Sequence, residues 1–197
     1  RLDARAMRLL AGADALMSLA GHRRQQVWEA AAWSAPPALL SEAPVREDFI
    51  ELPPAPEGEE IVFDHAATGL TLRRHPLALL RPLLEQRRLM TVAQLLAQPH
   101  GRLVRACGLV TLRQQPGTAK GVVFVTLEDE TGVVQVICWK RIRERQRDAL
   151  VALLRSRLLA VHGRWQREGD VCALVAGWLQ DLTPLLGRFV AGSRDFR

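Results

Sequence analysis

The sequence predicts an α+β protein with short N-terminal helices, a proline-rich connector and a C-terminal five-stranded β-barrel. Three observations support this prediction. Apolar residues recur every three or four positions in the first third of the chain, as in helices. Six prolines lie between Ser34 and Glu60. After Gly101 the pattern becomes three strands, one helix and two strands, which is the order of an OB-fold barrel. An SH3-like barrel is the alternative, but it lacks the central helix.

The helical and connecting segments are assigned first. Residues 1–35 continue a helical region interrupted near Gly12 and Gly21, and the opening RLDARAMRLLAGADAL, without a starting Met, suggests that the chain begins inside a longer polypeptide. Residues 36–60 have the proline and acidic composition of a linker. Residues 61–98 form a helical lead-in, in which Thr91 is a suitable N-cap for a short helix.

The barrel is predicted over residues 99–183, followed by a tail over 184–197. Its first strand carries Gly108 at its centre, and glycines allow long strands of small barrels to bend. Pro116-Gly117 and the segment Asp129–Gly132 supply turn signals. The five predicted strands are residues 102–113, 122–128, 132–139, 157–166 and 171–182. A helix is predicted over 141–156, between the third and the fourth strand.

Charge favours an anionic partner. The net charge is +6 with a pI near 10.4, and Lys120 and Lys140 are the only lysines among 27 basic residues. A strongly basic balance is typical of nucleic-acid-binding proteins. Arginine enrichment at ordinary solvated positions is the alternative explanation.

Several classes of function are disfavoured by the sequence. Cys107, Cys138 and Cys172 lack ligand spacing and indicate buried thiols in a reducing cytoplasm, and the five histidines are scattered. No apolar run is long enough to span a membrane. No phosphate-binding loop or nucleophile motif is present. We therefore expect a cytoplasmic fragment without a membrane partner, catalytic site, metal or cofactor.

Candidate nucleic-acid contacts follow from the barrel. OB folds bind ligands on strands two and three, between the loops that here span residues 114–121 and 167–170. Arg113 and Lys120 at the first loop, and Arg167 at the second, are candidate phosphate contacts. The alternative for Lys120 is an ordinary loop lysine that contacts only solvent.

Aromatic residues beside cations are candidate stacking platforms for unpaired bases. Trp139 precedes Lys140 and Arg141, and Trp165 lies between Arg164 and Arg167. Phe124 is a weaker candidate because its strand is apolar on both faces, and Trp178 is assigned to packing. The run from Arg141 to Arg147 either extends the basic surface or forms an ordinary solvated helix face.

A family resemblance agrees with these assignments. The stretch RQQPGTAKGVVFVTLEDETGVVQVICW at residues 113–139 resembles the OB domain of bacterial DNA polymerase III alpha subunits, in particular the error-prone branch often called ImuC. Three further segments agree with this resemblance: residues 13–28 around ADAL, SL and RRQ; TGL with HP at residues 68–76; and SRDF at residues 193–196.

The resemblance implies a parent polymerase active in translesion synthesis and SOS mutagenesis, with its Mg²⁺-dependent active site upstream of this fragment. By the same resemblance, residues 1–35 of this chain would form the end of a helix-hairpin-helix region. Two functions remain open for the barrel: guiding single-stranded template DNA, or docking accessory mutagenesis proteins, with the sliding clamp reached only indirectly. The acidic hairpin residues 128–130 favour docking. For Arg194, Asp195 and Phe196 we expect either a partner contact or packing on the barrel.

Overall fold

A computed structural model of the chain describes residues 2–33, 50–146, 148–169, 171–187 and 194–195. The chain divides into two compact units, Arg1–Arg73 and Arg74–Arg197. The division therefore falls inside residues 61–98, the segment that the sequence predicts as one helical lead-in.

The first unit is helical in the part that the structure describes. Its helices are α1 (Ala4–Gly12), α2 (Met17–Ala20), α3 (Arg23–Ala32) and α4 (Glu57–Thr68). Helix α4 begins before the predicted end of the linker at residue 60. Three acidic side chains in its first turn, those of Glu57, Glu59 and Glu60, explain the early start, because carboxylates stabilise helix N-termini.

Residues at the end of the predicted linker pack against α3. The backbone N–H of Leu52 donates to Oε1 of Gln25 at 3.0 Å, and Nε2 of His22 lies 2.8 Å from the carbonyl oxygen of Leu52. Residues 50–53 are therefore part of the first unit, whereas residues 36–49 of the predicted linker lie outside the described residues.

A buried ion-pair group joins α3 to α4 in this unit. The Arg23 guanidinium pairs with the carboxylate of Asp64 and donates to the carbonyl oxygen of Glu60 at 3.2 Å. Burial acts to raise the pKa of Asp64, but the hydrogen bonds from Thr71 and Arg23 and the nearby arginine charges outweigh it, so the pKa lies below its ordinary value. The carboxylate is charged at neutral pH and holds the two helices together.

The second unit opens with two capped helices. Helix α5 spans Pro76–Gln86, and the ring of His75 accepts a hydrogen bond from the N–H of Leu77. Helix α6 spans Val92–Leu96, and Thr91 forms a capping box with Gln94. The predicted N-cap role of Thr91 is confirmed.

The barrel strands are β1 (Leu103–Gln114), β2 (Val123–Asp129), β3 (Gly132–Cys138), β4 (Leu158–Glu168) and β5 (Val171–Asp181). The order β2-β3-β5-β4-β1 closes because β1 also pairs with β2. Strands β3 and β5 are parallel, and the other pairs of the barrel are antiparallel. Among the described residues this is the predicted OB topology.

Strand β1 changes partner near Gly108. Residues 103–109 pair with β4, and residues 109–114 pair with β2. A Cβ atom at Gly108 would lie 2.7 Å from Cβ of Leu127 and 3.0 Å from the backbone of Glu128. The missing side chain lets β1 pass close to β2, so this glycine is where the barrel turns.

The predicted helix between β3 and β4 forms as two helices, α7 (Lys140–Arg145) and α8 (Ala149–Arg155). Gln146 separates them with extended backbone angles of φ −123° and ψ 111°. Its side-chain amide donates to the carbonyl oxygen of Leu179 at 2.6 Å and accepts from the N–H of Leu179 at 3.0 Å. These two hydrogen bonds attach the segment between α7 and α8 to β5.

After β5 the chain makes a 3₁₀ turn over Thr183–Leu186. The backbone of Arg194–Asp195 forms a short strand, β6, parallel to β1 at Leu112 and Arg113. The backbone of these two tail residues therefore runs beside β1. Phe196 lies outside the described residues.

Candidate nucleic-acid interface

A cleft of about 1040 Å³ lies on the outer surface of the barrel beside α7. It is lined by residues from β1, β4 and β5, by Trp139 and by α7. These are Leu103, Val104, Arg105, Trp139, Lys140, Arg141, Ile142, Arg145, His162, Gly163, Arg164, Val175, Ala176 and Gly177.

The cleft is cationic. Among the described residues its lining includes five basic side chains and no carboxylate: Arg105, Lys140, Arg141, Arg145 and Arg164. A concave surface of one charge sign concentrates counter-ions and steers oppositely charged ligands toward it. The cleft therefore fits a polyanion.

Trp139 forms one wall of the cleft. It is the residue before α7, and its side chain is 54% exposed. The same tryptophan also lines a smaller hollow of about 520 Å³, whose other walls are mostly apolar. That hollow is lined by Thr118, Ala119, Lys120, Val122, Phe124, Ile137, Trp139 and Lys140. An aromatic ring so placed is accessible to a planar ligand.

Strand pairing places three side chains in a row at the edge of the cleft. Arg105 on β1 is opposite His162 on β4, which in turn is opposite Trp178 on β5. The His162 and Trp178 rings stand 4.7 Å apart between centroids, at an interplanar angle of 47°. Burial, and to a lesser degree the charge of Arg105, lower the pKa of His162. Its ring is therefore neutral at pH 7.

Four of the predicted contact residues meet in this cleft: Trp139, Lys140, Arg141 and Arg164. Lys120 lies across the neighbouring hollow, in the left-handed region at φ 46°. Arg167 lies elsewhere. Its guanidinium donates to the carbonyl oxygen of Leu96, and its backbone N–H donates to Nδ1 of His100 at 3.1 Å, so it fastens the end of β4 to the last residue of α6 and to the segment that follows.

Two predicted contacts are corrected by their burial. Trp165 has no exposed surface and lies in the barrel core, because its side chain points inward on β4 while Arg164 points outward. It does not offer a face to a base. Arg113 is also buried, and its Nε donates to the carbonyl oxygen of Leu153 at 2.7 Å. This arginine holds the end of α8 and does not face the loop.

The sequence interpretation missed Arg105 of the cleft and the neighbouring Trp178. Trp178, assigned to packing, is 39% exposed and contacts His162 at the edge of the cleft. Arg105 adds a cation to the lining, as does Arg145, which belongs to the run that the sequence offered as an extension of the basic surface. Arg105 alternates with the buried Val104 and Ala106, so its outward position could have been predicted from the pattern of β1.

The hairpin acids have structural partners. Oδ2 of Asp129 accepts from the N–H of Val92 at 2.7 Å, and Oδ1 accepts from the N–H of Thr131 at 2.7 Å. Glu130 pairs with Arg81 of α5 at 2.5 Å. Burial acts to raise the pKa of Glu130, but the hydrogen bond from Arg81, a backbone hydrogen bond and the charge of Arg81 together outweigh it and lower the pKa. These two carboxylates hold the hairpin to α5 and α6, which removes most of their support for a docking role.

The described residues contain no group of three or more His, Cys, Asp or Glu side chains placed to hold a metal ion. Burial raises the pKa of the Cys107 thiol to about 12 and that of the Cys138 thiol to about 12. No helix within the described ranges is long and apolar enough to cross a membrane.

Comparison with known families gives a match to the barrel. The sequence model of the family described as "OB-fold nucleic acid binding domain" matches residues 104–182, which contain nearly all of the strands that form the barrel. The match and the strand order agree on the fold.

Relatives match along nearly the whole chain. The error-prone DNA polymerase of Ralstonia nicotianae is 52% identical over 198 residues, and that of Burkholderia pseudomallei is 51% identical over 196 residues. Each alignment covers 99% of this chain and 18% of the relative. The error-prone DNA polymerase of Pseudomonas fluorescens is 51% identical over 196 residues, with 19% of its length covered.

Solved structures give weaker likenesses. The hypothetical protein ygiW from E. coli superposes with a TM-score of 0.37 at 11% identity, covering 48% of this chain and 89% of that chain. Asparaginyl-tRNA synthetase from Pyrococcus horikoshii has a TM-score of 0.34 at 22% identity, covering 42% of this chain and 20% of that chain. The chain is thus similar to error-prone DNA polymerases along 99% of its own length, spans about 18% of the length of these curated relatives, and contains an OB-fold domain.

Proposed function

We propose that the barrel is a non-catalytic part of an error-prone DNA polymerase and holds single-stranded template DNA in the cationic cleft. The observation that carries this proposal is the combination of five basic side chains, an exposed Trp139 and no carboxylate among the described lining residues. Basic grooves with aromatic platforms are the common means of binding single strands without sequence preference.

The exposed tryptophan favours a single strand over a duplex. In a duplex the faces of the bases are covered by their neighbours, so an indole has access only to unstacked bases. Stacking on an aromatic side chain contributes ~1–3 kcal/mol per base. The arginines and Lys140 would neutralise phosphates on either side of the stacked base.

For the whole polymerase we propose translesion synthesis during SOS mutagenesis, with Mg²⁺ held by an active site in another part of the protein. Holding the template near that site would keep a strand engaged while a damaged base is copied. In a full-length relative, cleft substitutions should then shorten extension past a template lesion. Unchanged extension past the lesion would argue against this role.

A second candidate function, docking of accessory mutagenesis proteins, is favoured by a different surface. Val133 on β3 and Val171 on β5 are 55% and 72% exposed. Each lies two residues before the point where the parallel pairing of these strands begins, at Gln135 and Ala173. Exposed apolar side chains at the same end of two paired strands favour a protein contact. The sliding clamp would be reached through such a partner.

Binding titrations separate the two functions. A labelled oligothymidylate and a duplex of equal length are titrated with the 197-residue chain, the Arg105→Gln/Arg164→Gln variant and the control Arg155→Gln. Arg155 is an exposed arginine of α8 outside the cleft. We expect tighter binding of the single strand, a several-fold loss in the cleft variant and no loss in the control.

Equal affinities for all three proteins would refute the cleft as the DNA site. The docking function is tested with Val133→Ser/Val171→Ser in a full-length relative. If this variant loses an accessory protein while the chain carrying the same pair of changes keeps its DNA affinity, the valine pair serves docking. Retention of every partner would remove that candidate.

A further inference from the structure

A row of three side chains crosses the barrel beside the cleft: Arg105 on β1, His162 on β4 and Trp178 on β5. Arg105 and His162 line the cleft, and so does Gly177, the residue before Trp178. The row thus places a cation, an imidazole and an indole side by side at the edge of the cationic surface.

Trp178 is exposed for a reason visible in the strand pairing. His162 is opposite Trp178, whereas the next residue, Gly163, is opposite Ala176. The extra residue on β5, Gly177, forms a bulge that turns Trp178 outward. A Cβ atom at Gly163 would lie 2.1 Å from the carbonyl oxygen of Val175, so only glycine permits the close approach of β4 and β5 here.

The environment of the indole suits a planar aromatic ligand. Its side chain is 39% exposed, in contrast to the fully buried Trp165 on the neighbouring strand, so Trp178 does not serve as a core residue. The ring of His162 supports it from one side at 4.7 Å. Gly177 has no side chain to narrow the approach from the cleft. A supported, partly exposed indole loses little conformational entropy when a ring stacks on it.

Arg105 supplies the second half of such a contact. It is exposed and is the cross-strand neighbour of His162. A nucleotide whose base lies on Trp178 would carry its phosphate into a surface lined by Arg105 and Arg164. Arginine is well suited to phosphate because its planar donors match the oxygen positions.

We propose that Trp178, supported by His162, is a second stacking platform for an unpaired nucleobase, so that the cleft holds a strand with bases on Trp139 and Trp178 and phosphates among the cations between them. This inference rests on the proposed binding of single-stranded nucleic acid in the cleft. It adds a base-binding residue on β5, away from the face of strands two and three.

The test compares two ligands of equal charge. Oligothymidylate and a fully abasic oligonucleotide of the same length are titrated with the chain and with Trp178→Leu, Trp178→Phe and Trp28→Leu. Trp28 is an exposed tryptophan of α3, outside the barrel, and is the matched control. Trp178→Leu should lose ~5- to 150-fold of the affinity for oligothymidylate and none for the abasic ligand. Trp178→Phe should retain most of the affinity.

A measurement on the unaltered chain complements the variants. An oligonucleotide that carries 5-iodouracil is irradiated in complex with the chain, and mass spectrometry locates the crosslinked peptides. Crosslinks to Trp178 are expected beside those to Trp139.

Three outcomes are distinguished. If Trp178→Leu keeps full affinity, or if iodouracil never crosslinks to Trp178, the second platform is refuted while the cationic cleft stands. An equal loss for both ligands would show that Trp178 only maintains the shape of the cleft, which also refutes it. If Arg105→Gln/Arg164→Gln binds like the unaltered chain, the proposed function itself fails.

Discussion

The guanidinium of Arg113 on β1 meets the C-terminal end of α8, where its Nε donates a hydrogen bond to the carbonyl oxygen of Leu153 at 2.7 Å. It also donates to the carbonyl oxygen of Ser156, the residue that follows the helix. The last carbonyl groups of a helix lack partners within the helix, and a cation stabilises that end. Arg113 therefore connects helix and barrel.

We predict that Arg113→Met lowers the free energy of unfolding by ~1–3 kcal/mol, because buried carbonyl groups lose their donors. Urea denaturation measures this loss, and Arg155→Met on the exposed surface serves as the control. The salt dependence of DNA binding should be the same for Arg113→Met and the unaltered chain. A stable variant with weaker salt dependence would instead return Arg113 to the binding surface.

Substitutions of Trp165 and Trp139 should have different effects on the free energy of unfolding. Trp165→Ala empties a fully buried site and should lower the free energy of unfolding by ~3–5 kcal/mol. Trp139→Ala removes an exposed side chain and should change it by about 0.5 kcal/mol or less. Chemical denaturation of both variants tests the difference, and similar losses would contradict the positions described.

Asp129 should be the most important carboxylate of the hairpin. Its buried side chain accepts hydrogen bonds from Val92, Thr131 and Gly132 and lies 3.5 Å from Nη2 of Arg81. We expect Asp129→Ala to cost ~1–3 kcal/mol, since it leaves the N–H groups of Val92, Thr131 and Gly132 without their acceptor, whereas Arg81 keeps its pair with Glu130. Glu128→Ala, at a half-exposed position, is the control and should cost little. Equal thermal stabilities would show that the network is dispensable.

Stability should fall below about pH 6.5 because of two histidines. Burial lowers the pKa of His75 and of His162 from the ordinary value of 6.5. As the pH falls through 6.5, the unfolded chain binds these protons before the folded chain does, so unfolding becomes more favourable. The contribution of the two neutral histidines to stability is complete above about pH 6.5 and is lost as the pH falls toward their lower pKa values in the folded chain.

The pH window separates the histidines from the carboxylates. The lowered pKa values of Asp64 and Glu130 affect stability only as the pH falls below about 4.5. Melting temperatures at pH 5.5 and 7.5 should therefore differ for the unaltered chain. They should differ less for His75→Asn/His162→Gln, in which Asn keeps an N-cap for α5. An undiminished difference in that variant would assign the pH dependence to other groups.

Much of the fold could be predicted from local signals in the sequence. The acidic turn before Gly132 marked the β2–β3 hairpin, and Gly108 marked the bend of β1. Thr91 identified the start of α6. Each of these features depends on backbone requirements that one or two residues meet, so no tertiary information was needed.

The positions of the tryptophans required the tertiary structure. Neighbouring arginines suggested an exposed Trp165, yet Val161 and Trp165 share the inward face of β4. On β5, strict alternation from the buried Leu174 and Ala176 would place Trp178 inside. The bulge at Gly177 shifts that alternation, so that Leu179 is buried and Trp178 is not. A one-residue shift reverses every later side chain, and the sequence alone does not reveal it.

The salt dependence of single-strand binding tests the central claim most directly. The logarithm of the association constant for oligothymidylate is measured against the logarithm of salt concentration for the unaltered chain and for Arg105→Gln/Lys140→Gln/Arg164→Gln. Each phosphate contact contributes a slope of about −0.7 for single strands. If the cleft holds the DNA, the folded variant should show a slope shallower by about two. An unchanged slope and affinity in the folded variant would contradict the cleft as the site of DNA binding.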